Sequence, residues 1–120
     1  MPRPTFLMAE PEQALSTRKL VLETAKFNVI TAHSAREALD ICEQFPAVNA
    51  LIVHARLPGD RAKIVANFKR RNENKPAILL APSASSSCDG VNFTISSHSP
   101  EELLGLLREL FGDPRNIDGG

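Results

Sequence analysis

Short apolar runs alternate with amphipathic stretches along nearly the whole chain. Thr5-Phe6-Leu7-Met8-Ala9 is compact, apolar and bounded by Pro4 and Pro11, which predicts a buried strand. Pro11 suits the first turn of a helix. Beyond it Ala14, Leu15, Val21, Leu22 and Ala25 line one stripe, with Glu12, Arg18, Lys19 and Glu23 opposite. Phe27 to Ala32 predicts a second strand. Ser34 with Glu37 three residues on has the form of a capping box. Ala38, Ile41, Cys42 and Phe45 then follow at helical spacing until Pro46. Ala50-Leu51-Ile52-Val53-His54-Ala55 is apolar at all positions but His54, and it predicts the central strand. Continuous apolar strands of this kind belong to parallel sheets covered on both faces.

Leu57-Pro58-Gly59-Asp60 predicts a turn, with Asp60 capping a helix through about Arg71 whose inner face is Ile64, Val65 and Phe68. Ala77–Ala81 and Val91–Ile95 predict strands four and five. Ser99-Pro100-Glu101-Glu102 opens a last helix with a cap, a first-turn proline and two first-turn acids. That helix runs to Phe111 and stops at Gly112. The expected architecture is a single α/β domain over residues 4–111, a doubly wound five-stranded parallel sheet, with a C-terminal tail at 112–120. One connection breaks the rhythm. Pro82 to Gly90 contains no Leu, Ile, Val, Met or Phe, whereas a covering helix needs an apolar stripe and about 11 residues. A Ser-rich loop, or at most one helical turn, is expected there in place of a helix.

Composition adds little to this picture. Fourteen basic residues balance fourteen acidic ones, so charge gives no reason to expect nucleic acid or an anionic membrane as partner. Arg61, Lys63, Lys69, Arg70, Arg71 and Lys75 cluster around the third helix, but such a run is ordinarily a solvated face. No stretch reaches the roughly 20 apolar residues of a membrane span, and no signal-peptide pattern opens the chain, so a cytoplasmic protein is expected. Cys42 and Cys88 have neither motif spacing nor the density of a secreted scaffold; neither a disulfide nor a metal role is expected of them.

The order of elements resembles the receiver domain of bacterial two-component response regulators, as a flavodoxin-like fold. The resemblance is carried by Phe6-Leu7-Met8-Ala9-Glu10-Pro11-Glu12, by Val29 to Leu39, by Leu51 to Gly59 and by Ser99-Pro100-Glu101-Glu102-Leu103. It implies a site at which every functional position has changed. The acidic pair that holds magnesium in the family falls on Met8 and Ala9, which offer none of the hard oxygen ligands this ion takes. The phosphoacceptor aspartate falls on His54, the hydroxyl residue ending the fourth strand on Ala81, the lysine on Ser96 and its following proline on Ser97. Acyl-phosphate formation needs a carboxylate, a cation and a positive group beside it, so the resemblance implies a pseudo-receiver without cofactor, metal or catalysis. Without a proline, the Ser96–Ser97 bond is expected to be trans, since cis would cost about 3 kcal/mol. Glu10 and Glu12, the remaining acids of the first loop, are expected to favour a helix N-terminus rather than to bind metal.

A silent receiver is expected to act through protein contacts. In the last helix Leu103, Leu106, Leu107 and Leu110 form one stripe, and Leu104 and Phe111 widen it. With the preceding helix reduced to a loop, Leu104, Phe111, Leu107 and Phe93 are the expected partner-binding residues, homodimerisation being the simplest form. The alternative is a small ligand at the C-terminal edge of the sheet, beneath Ser83 to Ser87. No Gly-rich phosphate fingerprint and no G-x-S-x-G elbow occurs.

Overall fold

The computed structural model describes residues 3–11, 17–45, 47–82, 88 and 90–112. Five strands and four helices follow in the order β1 (Thr5–Ala9), α1 (Thr17–Thr24), β2 (Asn28–Ala32), α2 (Ala35–Gln44), β3 (Ala50–His54), α3 (Arg61–Arg71), β4 (Ala77–Ala81), β5 (Phe93–Ser96) and α4 (Pro100–Phe111). The sheet is wholly parallel with strand order β2-β1-β3-β4-β5, the doubly wound arrangement expected. β3 is its centre, and all five of its residues are buried. Glu12, Ala14, Leu15, Pro46, Ser83–Ser87 and the tail 113–120 lie outside the described residues, as does the side chain of Arg18.

Alternation along each strand feeds two cores. Leu7, Leu51, Val53 and Ala77 pack beneath α2 and α3 with Ala38, Cys42, Ile64, Val65 and Phe68. Phe6, Met8, Ile52, Ile78 and Leu80 pack beneath α1 and α4 with Leu22, Leu103 and Leu107. Phe6 joins three elements, its ring centroid lying 5.0 Å from that of Phe27 and 5.3 Å from that of Phe111. Aromatics are few, so this cluster fixes the lower end of α4 against β1.

Helix starts follow their capping residues. Ser34 Oγ accepts from Glu37 N at 3.1 Å, Asp60 Oδ1 from Lys63 N at 3.1 Å, and Ser99 Oγ from Glu102 N at 3.4 Å. The Glu37 carboxylate departs from a strict capping box: it accepts from His33 N, one residue before the cap, at 2.8 Å. Phe45, expected on the inner face of α2, is 49% exposed. It is the C-cap, at φ −126° and ψ 72°, so helical periodicity no longer governs it.

Among the described residues there is no helix between β4 and β5. Cys88 and Val91 pack against the α2/α3 core instead. Gly90 lets the connection lie close: its φ is +89°, and an added Cβ would sit 3.0 Å from Val65 Cγ1. Strand five was expected at Val91–Ile95 and begins at Phe93. No described helix is long and apolar enough to cross a membrane.

Candidate functional site

Parallel strands deliver their last residues to one rim, where ligands of open α/β sheets bind. The register brings the sequence-selected positions side by side: Ala9 pairs with Val53, just before His54; His54 pairs with Leu80, just before Ala81; and Ala81 pairs with Ser96. Met8 and Ala9 are wholly buried, Ala81 is 3% exposed, and Ser96 is exposed. At Met8, Ala9, His54 and Ala81 the rim thus carries no carboxylate, hydroxyl or ammonium.

His54 is only 7% exposed. Its Nδ1 accepts a hydrogen bond from Arg56 N at 3.0 Å. The chain turns tightly there, with Leu57 N donating to His54 O at 3.0 Å and Ala55 N to Leu80 O at 2.8 Å. The expected strand-end histidine is thus a buried part of the turn.

Beside it, Ser97 N donates to Ala81 O at 2.9 Å and Ser99 N to Ser96 O at 3.3 Å, while Ser96 Oγ accepts from His98 N at 3.2 Å. Ser96 thus caps its own turn. Peptide bonds among the described residues are trans, Ser96–Ser97 included. Glu10, expected to support a helix N-terminus, is 1% exposed, and residues 12–16 that lead into α1 lie outside the described residues. Its N–H donates to Ala32 O at 3.0 Å, and its carbonyl oxygen lies 3.1 Å from His33 Nδ1. Burial pushes the Cys42 thiol above its ordinary value, against an opposing pull from Arg71.

The expected partner-binding residues divide into different places. Leu107 is wholly buried, so it is core and offers no surface. Phe111 is half-buried against Phe6, and Leu104 is half-buried on the α1/α4 core. Phe93 is 36% exposed and Leu110 41%. Two grooves flank α4 as a result. One, of about 450 Å³, has Phe93, Leu110 and Phe111 on its apolar side and Lys69, Lys75 and Glu73 on its polar side. The other, of about 300 Å³, lies between α1 and α4 among Leu20, Val21, Leu104 and Arg108. Leu20 falls outside the α1 stripe of Val21, Leu22 and Ala25, and at 65% it is the most exposed large hydrophobic residue described.

No family model matches the chain, and no curated protein matches it. Solved structures do. The receiver domain protein of Methanospirillum hungatei JF-1 is similar over 99% of this chain and 100% of its own, with 20% identity and a TM-score of 0.78. The chemotaxis response regulator CheY4 of Vibrio cholerae is similar over 92% and 100%, with 19% identity and a TM-score of 0.77. The signal receiver domain of an HD domain-containing protein from Pseudomonas fluorescens Pf-5 matches over 91% and 87%, at 22% identity and a TM-score of 0.76. The chain has the fold of a response regulator receiver domain.

Proposed function

We propose that this chain is a signalling module of the receiver type that works without phosphorylation, by contact with another protein surface. The observation that carries the proposal is the rim itself: Met8, Ala9, His54 and Ala81 stand side by side and buried, without a carboxylate, hydroxyl or ammonium among them. A receiver switches because a metal-assisted acyl phosphate forms at this rim, and here the groups that would neutralise the phosphoryl oxygens are absent from those positions. Output must then depend on surfaces that do not wait for that event. The apolar residues on and beside α4, half-buried Leu104 on one side and exposed Phe93 with half-buried Phe111 on the other, support contact by protein.

The test is an amide correlation spectrum recorded with magnesium and then with beryllofluoride, the stable stand-in for a phosphoryl group. Signals of Ala9, His54, Ala55 and Ala81 are expected to stay in place. Saturable shifts at those residues would overturn the proposal.

A further inference from the structure

β5 closes one side of the sheet, and its outer edge is open. Among the described strands it pairs with β4 alone. Phe93, Thr94 and Ser96 are exposed, whereas β2, at the opposite edge, is at least half-buried beyond Asn28. The bonds around β4 identify the free backbone groups. Leu51 N donates to Pro76 O and Ala55 N to Leu80 O, so the even-numbered residues of this stretch face β3. The odd-numbered ones face β5, and Ser97 N accordingly donates to Ala81 O. Alternation along a parallel ladder then turns the N–H and C=O of Ile95 to β4. Those of Thr94 point outward, as does the N–H of Ser96. Among the described residues no loop, cap or side-chain bond ends on Thr94.

Unpaired backbone of this kind is a template for another strand, and natural edges are commonly blunted by lysine or proline. Phe93-Thr94-Ile95-Ser96 contains neither. Four residues offer few backbone bonds, so side chains must add to them. Phe93 is 36% exposed and Leu110 41%, and both line the groove at the start of β5. A chain lying along Thr94 would rest alternate side chains on this apolar ledge. Charge specifies the rest. Leu104 and Arg108 turn toward α1, so the other side of α4 borders the β5 edge. There Glu102, Leu106 and Glu109 recur at i, i+4 and i+7, with both glutamates exposed. Lys69, in the groove, is already held by Asn92 Oδ1 and Lys75 O, which leaves the two acids to set the sign. We propose that β5 accepts an extended segment of a partner protein as a sixth strand, bonded to Thr94 and Ser96. That segment is apolar at alternate residues, over Phe93 and Leu110, and carries lysine or arginine beside Glu102 and Glu109. This rests on the reading of the chain as a protein-contact module and names the form of its partner.

The probe is a capped peptide of alternating valine and lysine, titrated into the full chain and followed by amide correlation spectra. Saturable shifts are expected at Thr94, Ile95 and Ser96, with slower hydrogen exchange of the Thr94 and Ser96 amides. Methylating the peptide nitrogens that would face β5, with no side chain changed, is expected to weaken binding about tenfold or more. Glutamate in place of the peptide's lysines is expected to weaken it as well. Thr94→Pro removes an outward N–H and no bond to β4, so the fold is expected to survive and the peptide to be lost. Leu110→Gln, at an exposed position, is expected to weaken binding without touching the strand. No saturable shift at about millimolar peptide would overturn the proposal, as would equal binding of the methylated peptide or shifts confined to other elements. So would a second copy on the same edge, read as Thr94 exchange that slows with protein concentration when no peptide is present. None of these outcomes involves the amides of the rim, so the added strand and the silent site can fail separately.

Discussion

His54 holds the turn that ends the central strand. At the end of β3 its Nδ1 takes the N–H of Arg56, and the tight turn that follows is thereby held by the histidine ring. An acid placed at this position would meet no oxygen ligand from Met8 or Ala9 at the neighbouring strand end. The new carboxylate would be placed where only 7% of the residue meets solvent. His54→Asp is therefore expected to lower stability by about 1–3 kcal/mol in urea denaturation. It is also expected to take up no phosphoryl group from a small-molecule donor such as acetyl phosphate. A variant as stable as the parent, or one that forms an acyl phosphate, would contradict the account of the rim given above.

At the scale of elements, β5 is secured through the residue that leads into it. Asn92 donates its N–H to Ala77 O at 2.8 Å and accepts from Ala77 N at 2.9 Å through Oδ1, so a side chain extends the β4–β5 ladder by one step. Lys69 donates to the same Oδ1 and, at 2.7 Å, to Lys75 O, tying the end of α3 to both strands. Asn92→Ala would strand the Ala77 N–H and leave the Lys69 ammonium only its bond to Lys75 O. It is expected to cost about 1–3 kcal/mol and to quicken hydrogen exchange across Phe93–Ser96; unchanged exchange there would show that the strand is held elsewhere. The start of β5 was also the point where the sequence misled. Val91 carries the β-branched signal of a strand but turns into the α2/α3 core, and Asn92 pairs by its side chain, so the strand begins two residues late. β1, β3 and β4 were legible because each is an almost unbroken apolar run, β2 by its β-branched Val29-Ile30-Thr31, and the helix starts because Ser34, Asp60 and Ser99 cap them. Rim positions were legible as well, since they follow from strand ends alone. Exposure along α4 was not: periodicity marks Leu103, Leu106, Leu107 and Leu110 alike, and only packing against β1 separates buried Leu107 from exposed Leu110.

Across the whole molecule, cover is distributed unevenly over the sheet. β1, β3 and β4 are buried along almost their full length, whereas β5 has exposed residues at Phe93, Thr94 and Ser96 and only Ile95 partly covered. The sequence of β5 agrees with its surroundings. Ile95 belongs to the α1/α4 core, while Thr94 and Ser96 point away from it and are small and polar, as a strand with one wet face requires. A crossover helix laid over Thr94 and Ser96 would find little apolar surface to bury, which is the physical reason the Ser-rich connection is tolerated. Local stability should follow the same gradient, because sub-global openings start where few apolar contacts are lost. Amide exchange is expected to be slowest in β1, β3 and β4 and clearly faster in β5. The lower end of α4 should exchange more slowly than β5, since Phe111 anchors it on Phe6. If β5 proved as protected as β3 in the dilute monomer, some further cover would have to lie over Thr94 and Ser96.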